Sequence, residues 1–177
     1  MKTSRTVLVR NRKRFKGSGF TLIEILVVIG IVAALAAIVI VAINPARQFA
    51  QARNSQRQSN VNTILNAVGQ RLADNKGVFT GGSPNCPTLT TGTKYRIASA
   101  TPTVVNDIDL SCLTPTYIPA ALPFDPSAVG ARFVSTSDYN TEYYIEADSQ
   151  GRYTVSAPGA SSETAISATP PVISVTR

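Results

Sequence analysis

A single carboxylate stands inside the most apolar stretch of the chain. Glu24 is the fifth residue of a run, Phe20 to Ile43, in which 21 of 24 residues are apolar. An ionised carboxylate in hydrocarbon costs on the order of 2 to 3 kcal/mol even on the most lenient insertion scale. We therefore expect a compensating positive charge close to Glu24.

The residues before Glu24 supply that charge if the backbone is cut. A basic segment meets the apolar run at Lys16-Gly17-Ser18-Gly19-Phe20-Thr21-Leu22-Ile23-Glu24. Gly19 has no Cβ, so an enzyme can approach its backbone closely, and the junction is typical of a protease site. Cleavage between Gly19 and Phe20 would create an α-amino group on Phe20, four residues from the carboxylate.

An amine on Phe20 would pair with Glu24 in one of two ways. Opposite charges attract strongly in a low dielectric, although the loss of water from both groups opposes pairing. The pair can form within one chain or between neighbouring chains. A pair between chains would fix the axial register of parallel apolar helices, because a buried polar pair specifies how helices assemble.

The apolar run is long enough to cross a membrane as a helix. Its 24 residues at about 1.5 Å each reach roughly 36 Å, against a hydrocarbon core of about 30 Å. Buried helices of soluble domains are rarely apolar all round over this length. A cleaved secretory signal is the other alternative, with Ala34 and Ala36 as its cleavage pattern, but its apolar region usually has about 7 to 15 residues. We expect a span that is retained.

Positive charge is concentrated before this span. The chain has 17 Lys plus Arg and 10 Asp plus Glu, and seven of the cations fall in residues 1–19, where there is no acid. From Phe20 onward, ten cations therefore face ten acids. A basic body for nucleic-acid binding is excluded, and direct nucleic-acid binding would need the leader to be kept. The asymmetry predicts a cytoplasmic amino terminus, with the chain after Ile43 outside.

The rest of the chain predicts an α+β head. Residues 44–76 are rich in helix formers, and an apolar stripe recurs at helical spacing at Val61, Ile64, Leu65, Val68 and Leu72. The stripe predicts an amphipathic helix packed on a small antiparallel sheet, and Pro45 predicts a kink or locally melted stretch.

Three cations of this helix are interpreted as a solvated charged face, with contacts between subunits as the alternative: Arg47, Arg53 and Arg57. The predicted strands are Lys94 to Ala98, Glu142 to Ala147 and Arg152 to Ser156, the last two as a hairpin.

The two cysteines fall in the part predicted to be exported. A disulfide between Cys86 and Cys112 would persist there, and closing a loop of about 25 residues contributes roughly 3.5 kcal/mol in the chain-entropy model. A head of this size is marginal without such a staple. The alternative is a pair of free, buried thiols.

The junction resembles the start of type IV pilins and type II secretion pseudopilins. The matching residues are Gly19, Phe20, Thr21, Leu22, Ile23 and Glu24, preceded by cations and followed by the apolar run. The resemblance implies that a prepilin peptidase cuts between Gly19 and Phe20 and methylates the new Phe20 amine. It also implies that Glu24 guides incoming pilin subunits into a helical homopolymer.

The same resemblance implies a lollipop-like architecture, with a long amino-terminal helix on a small sheet. Five segments are expected: a cleaved basic leader (1–19), a transmembrane and filament-core helix (20–43), an amphipathic helical continuation (44–76), a disulfide-stapled β-rich head (77–156) and a Ser/Thr/Pro-rich tail (157–177). The tail is expected to be disordered or to add an edge strand at Val172 to Val175. The precursor is expected in the inner, cytoplasmic membrane, and the mature subunit in an extracellular or periplasmic filament.

The expected function is structural, in a filament that serves adhesion, motility or DNA uptake. A secretion pseudopilin and a non-polymerising, single-span membrane-anchored binding protein are the alternatives. No enzyme is expected, because the chain has no His and shows neither a Gly-rich phosphate loop nor a nucleophile constellation. The expected partners are prepilin peptidase and other pilin subunits, with the inner membrane before assembly.

No cofactor is expected, and calcium is the alternative that the sequence raises. The stretch Tyr117 to Pro126 resembles the Pro-rich LP-x-DP loop of pilins and pseudopilins. In secretion pseudopilins, a calcium site follows this loop. Ser127 to Phe133 lacks that calcium pattern. Asp107 and Asp109 form a lone D-x-D without the Gly and Glu of an EF-hand loop, so a solvated loop is expected there.

Overall fold

The computed structural model describes residues 19–99 and 106–177. The predicted leader, 1–19, lies outside these residues except for Gly19. Cα packing divides the chain into two units, Met1–Ile43 and Asn44–Arg177.

The first unit contains helix α1, Leu22–Ile43. Every side chain of α1 that the structure describes is exposed. Residues Leu22–Ile40 form a stretch of 19 with a mean hydropathy of 3.0, so α1 is long and apolar enough to cross a membrane. Nothing in the composition of α1 distinguishes a polar face from an apolar one, and such a helix needs an apolar environment on all sides.

Helix α1 ends at Ile43, and helix α2 runs over Pro45–Asp74. Between them Asn44 adopts a left-handed backbone conformation, with φ 47° and ψ 80°. Its side-chain oxygen accepts a hydrogen bond from the Arg47 amide at 3.3 Å, so Asn44 caps α2, and Pro45 occupies the first turn where a missing N–H does no harm. The helical interruption predicted at Pro45 therefore falls one residue earlier, at Asn44.

The second unit packs α2 on a sheet. The predicted apolar stripe lies against the core, with Val61, Ile64, Leu65 and Val68 at most 1% exposed and Leu72 partly buried. Buried side chains from the sheet complete this core, among them Ile97, Tyr143, Ile145 and Val155. The α+β class, with a helix packed on a sheet head, is confirmed.

In the part of the chain that the structure describes, the sheet has six strands and is mostly antiparallel. The strands are β1 (Lys94–Ser99), β2 (Asp107–Ile108), β3 (Arg132–Ser135), β4 (Asp138–Ala147), β5 (Tyr153–Ala157) and β6 (Ile173–Thr176). Their order is β2-β1-β4-β5-β6, with β3 paired to β4 and only β1 and β2 parallel. Short 3-10 helices lie at Ser111–Leu113 and Pro158–Ser162.

The predicted hairpin is present as β4 and β5, in the register Ile145 opposite Val155. Strand β4 begins four residues earlier than predicted, and its first half pairs with β3, a strand that the sequence pattern does not predict. In the predicted tail, residues 173–176 form the edge strand β6 on β5.

Cys86 and Cys112 are joined in a disulfide, with their Cα atoms 5.4 Å apart. Both residues are buried, at 1% and 4% exposure. The bond links the long connection between α2 and β1 to the 3-10 helix at Ser111–Leu113. It therefore stabilises a part of the head where regular secondary structure is sparse.

Candidate functional site

The predicted cut site lies immediately before helix α1. Gly19 and Phe20 are outside the helix and exposed, and Phe20 shows 83% of its surface. A Cβ built on Gly19 would meet no atom within 4 Å. The bond between Gly19 and Phe20 is thus uncovered by the part of the chain that the structure describes.

Thr21 and Glu24 form a reciprocal cap at the start of α1. The Thr21 amide and the Thr21 hydroxyl each donate to Glu24 Oε2 at 2.9 Å. In return the Glu24 amide donates to Thr21 Oγ1 at 3.3 Å. This is a capping box, which satisfies backbone donors that the first turn of a helix leaves without an intrahelical partner.

The cap leaves one oxygen of Glu24 available. Both bonds from Thr21 reach Oε2, and among residues 19–99 and 106–177 nothing donates to Oε1. A carboxylate has about four acceptor positions, so Oε1 is free to take an ammonium group. This cap is not among the predictions made from the sequence, although the pattern Thr21-Leu22-Ile23-Glu24 is itself the signature of a capping box.

A second charged cluster is buried in the head and centres on Arg57. Its guanidinium forms a two-bond pair with Asp125, from Nε at 2.7 Å and from Nη2 at 3.0 Å. Nη1 also donates to Glu163 Oε1 at 2.7 Å. Arg57 is 1% exposed, Asp125 2% and Glu163 6%.

The cluster fastens three separate segments together. Asp125, from the LP-x-DP loop, also accepts the amides of Ser127 and Ala128 at 2.9 and 2.8 Å. Gly159 packs so closely that a Cβ there would lie 2.5 Å from Asp125 Oδ2. Since Arg57 belongs to α2 and Gly159 to the second 3-10 helix, the cluster holds helix, loop and post-β5 segment in one arrangement.

The charged groups of this cluster stabilise one another's ionised forms. Burial alone would raise the pKa of Asp125, but the bonds from Arg57 and the two backbone amides lower that pKa below its usual value. The hydrogen bonds from Arg53, and next those from Arg57, lower the pKa of Glu163 to about 2 against its burial.

The expectation that Arg57 lies on a solvated face is therefore wrong. Its partners stand 68 and 106 residues further along the chain, so no local pattern reveals them. Arg53 is closer to the expectation, because its side chain is 35% exposed while it donates to Glu163 at 2.7 Å. Arg47 is exposed as expected.

The predicted D-x-D pair is engaged in structural contacts. Asp107 forms a two-bond pair with Arg96, at 2.9 and 3.0 Å. Asp109 accepts the buried Tyr139 hydroxyl and the Ser111 amide, both at 2.8 Å. The expected solvated loop is wrong for Asp107, which lies in β2, whereas Asp109 is exposed and outside any helix or strand, as expected. Residues 19–99 and 106–177 contain no group of three or more His, Cys, Asp or Glu side chains placed to hold a metal ion.

A groove of about 200 Å³ lies beside α2 in the head. Its lining is mostly apolar, and the residues are Leu65, Val68, Gly69, Leu72, Gly151, Tyr153 and Arg177. Only Arg177 is charged among them. The lining offers packing surface without a nucleophile or a pair of acids.

Comparison with known families matches the amino-terminal region. Residues 14–40 match the family described as the prokaryotic N-terminal methylation motif, the prepilin-type motif of type IV pilins and pseudopilins. The match covers the junction, the capping box and most of α1, and it does not reach the head. It points to a structural, pilin-like protein, and together with α1 it fits a membrane-anchored precursor. Neither the search of characterised proteins nor the search of solved structures gave a match.

Proposed function

We propose that this protein is the precursor of a filament subunit of the type IV pilin kind. A prepilin peptidase cuts between Gly19 and Phe20 and methylates the new amine, and the mature chain polymerises through α1. The observation that carries this proposal is the prepilin-type motif at residues 14–40. Within it, the exposed Gly19–Phe20 bond lies directly before a helix that is apolar almost throughout.

Processing and assembly are coupled through Glu24. Cleavage places a cation on Phe20, and the Oε1 atom of Glu24 has no donor among the described residues. Pairing of Oε1 with the amine of a neighbouring copy would neutralise the carboxylate and set the register between helices. A homopolymer also gives the apolar surface of α1 a continuing apolar environment when it leaves the membrane.

The precursor is proposed to sit in the inner membrane with its leader in the cytoplasm. The seven leader cations favour that orientation. The head would then fold outside, where a disulfide such as Cys86–Cys112 persists. The mature filament would be extracellular or periplasmic.

The task of the filament is proposed from weaker observations. The lack of the calcium pattern and the balanced charge from Phe20 onward favour a pilus subunit for adhesion or motility over a secretion pseudopilin and over a pilin for DNA uptake. A non-polymerising, single-span membrane-anchored binding protein is the alternative of another class. In that case Glu24 would have no role between copies.

The substitution Glu24→Gln tests the proposal in the native host. Gln keeps the size and the acceptor oxygen needed by the cap but removes the charge, so we expect sheared filaments to be lost while the chain stays in the membrane. Glu146→Gln in the head is the matched control and should leave filament yield unchanged. Normal filaments from Glu24→Gln would contradict the proposed role of the charge, and a wild type without filaments would favour the membrane-anchored alternative.

A further inference from the structure

The hydrogen bonds at the start of α1 also determine where the helix stops in the direction of the leader. A helix that extended upstream would use the amides of Thr21 and Glu24 as donors, each to the carbonyl four residues earlier. In the structure the Glu24 amide donates to the Thr21 hydroxyl oxygen at 3.3 Å, and the Thr21 amide donates to Glu24 Oε2 at 2.9 Å. The helix accordingly begins at Leu22, and Gly19 and Phe20 stay outside it.

The apolar environment proposed for α1 favours growth of the helix unless the cap stops it. In an apolar medium every backbone N–H must find a partner, because each unsatisfied group costs several kcal/mol. Without the cap, growth of the helix toward the leader would supply backbone carbonyls as acceptors for the amides of the first turn. Such growth would place the Gly19–Phe20 bond within helical backbone, where its carbonyl and amide are held and are less accessible to an enzyme.

We propose that Thr21 is a positioning residue for leader removal: its cap keeps the Gly19–Phe20 bond out of the helix and open to the peptidase. This inference rests on the proposed function. The reaction is hydrolysis, in which water adds across the bond between the Gly19 carbonyl carbon and the Phe20 nitrogen. It leaves a carboxylate on Gly19 and an amine on Phe20, and Thr21 does not touch the reacting atoms in this scheme.

The cap and the charge are separable by substitution. Thr21→Val keeps the β-branched shape but removes the hydroxyl that accepts the Glu24 amide and donates to Oε2. Thr21→Ser keeps that hydroxyl. Glu24→Gln keeps a side-chain oxygen for the Thr21 amide and removes only the charge, since Gln serves in a capping box as Glu does.

The test is the rate of leader removal from the full-length chain, pulse-labelled in its native host and resolved by intact mass. We expect Thr21→Val to be cut roughly fivefold more slowly than wild type, the factor that corresponds to loss of a typical N-cap. Thr21→Ser should be cut within about twofold of the wild-type rate. Thr63→Val on α2, whose hydroxyl donates to the Ser59 carbonyl, is the matched control and should not change the rate.

The outcomes distinguish failure of the inference from failure of the proposed function. If Thr21→Val is inserted in the membrane and cut as fast as wild type, the inference is overturned and the proposed function stands. If Thr21→Ser is slowed as much as Thr21→Val, the hydroxyl is not the cause and the inference is overturned as well. If the wild-type chain is never cut after Gly19, the proposed function fails and the inference fails with it.

Discussion

The two units of this protein differ in whether their side chains find partners within the chain. In the described part of the head, no buried side-chain nitrogen or oxygen lacks a hydrogen-bond partner. The described side chains of α1, in contrast, are all exposed, although the helix is apolar throughout. The head therefore carries its own stabilising contacts, whereas the apolar side chains of α1 find no such contacts within the described chain.

Two carboxylates show the same contrast at the level of atoms. Both oxygens of Asp125 are occupied, by Arg57 and by two backbone amides. Glu24 has one oxygen held by Thr21 and one without a donor in the described chain. A carboxylate that is fully paired within its own chain serves the fold, and one that is half paired is suited to a contact between chains.

The largest expected effect in the head is that of Arg57→Ala. Removal of the guanidinium leaves Asp125 and Glu163 buried without their central cation, which costs about 3 to 5 kcal/mol of unfolding free energy. Urea unfolding of the full chain in detergent micelles measures the loss. Arg47→Ala is the control, because an exposed side chain should change stability by no more than about 0.5 kcal/mol. A loss below about 1 kcal/mol for Arg57→Ala would show that the head does not depend on this cluster.

Loss of the disulfide ranks next. Replacing Cys86 and Cys112 by Ala removes a crosslink between residues 26 apart, and the chain-entropy model gives a loss of roughly 3.5 kcal/mol. The same unfolding assay applies, and membrane insertion of α1 should be unchanged. The single variant Cys86→Ala should lose as much as the double variant, since either one breaks the bond. Equal stability of wild type and double variant would refute the role given to the disulfide.

The smallest expected effect is an acid dependence of the head. The pKa of Glu163 is lowered from 4.5 to about 2 in the folded chain, so its contribution is complete above pH 4.5 and is lost as the pH falls toward 2. Between pH 5 and 8 this group should cause no change in the unfolding midpoint. Glu163→Gln should flatten the acid limb of the stability curve, and an unchanged limb in that variant would assign the acid sensitivity to other carboxylates.

The features that the sequence predicts correctly are those with local causes. The apolar composition of α1, the stripe from Val61 to Leu72 and the alternation in β4 each depend on residues close together in the chain. The capping box at Thr21 and Glu24 is equally local, and the Thr-x-x-Glu pattern that signals it stands at the start of the apolar run.

The features that the sequence does not predict depend on distant partners. Arg57 looks like a solvated cation until Asp125 and Glu163 are brought to it by the fold. Strand β3 is short and exposed, and it exists because the first half of β4 lies beside it. The absence of a donor to Glu24 Oε1 among the described residues depends on side-chain geometry, which a sequence pattern does not contain.

The most direct test of the central claim is the intact mass and amino-terminal sequence of the protein in surface-sheared material from its native host. We expect a chain that begins at Phe20 with a methylated amine, recovered in a sedimentable filament. A chain that keeps Met1 to Gly19 and remains in the membrane would contradict it, as would one that starts near Leu35 or Ala37 after removal of an ordinary secretory signal.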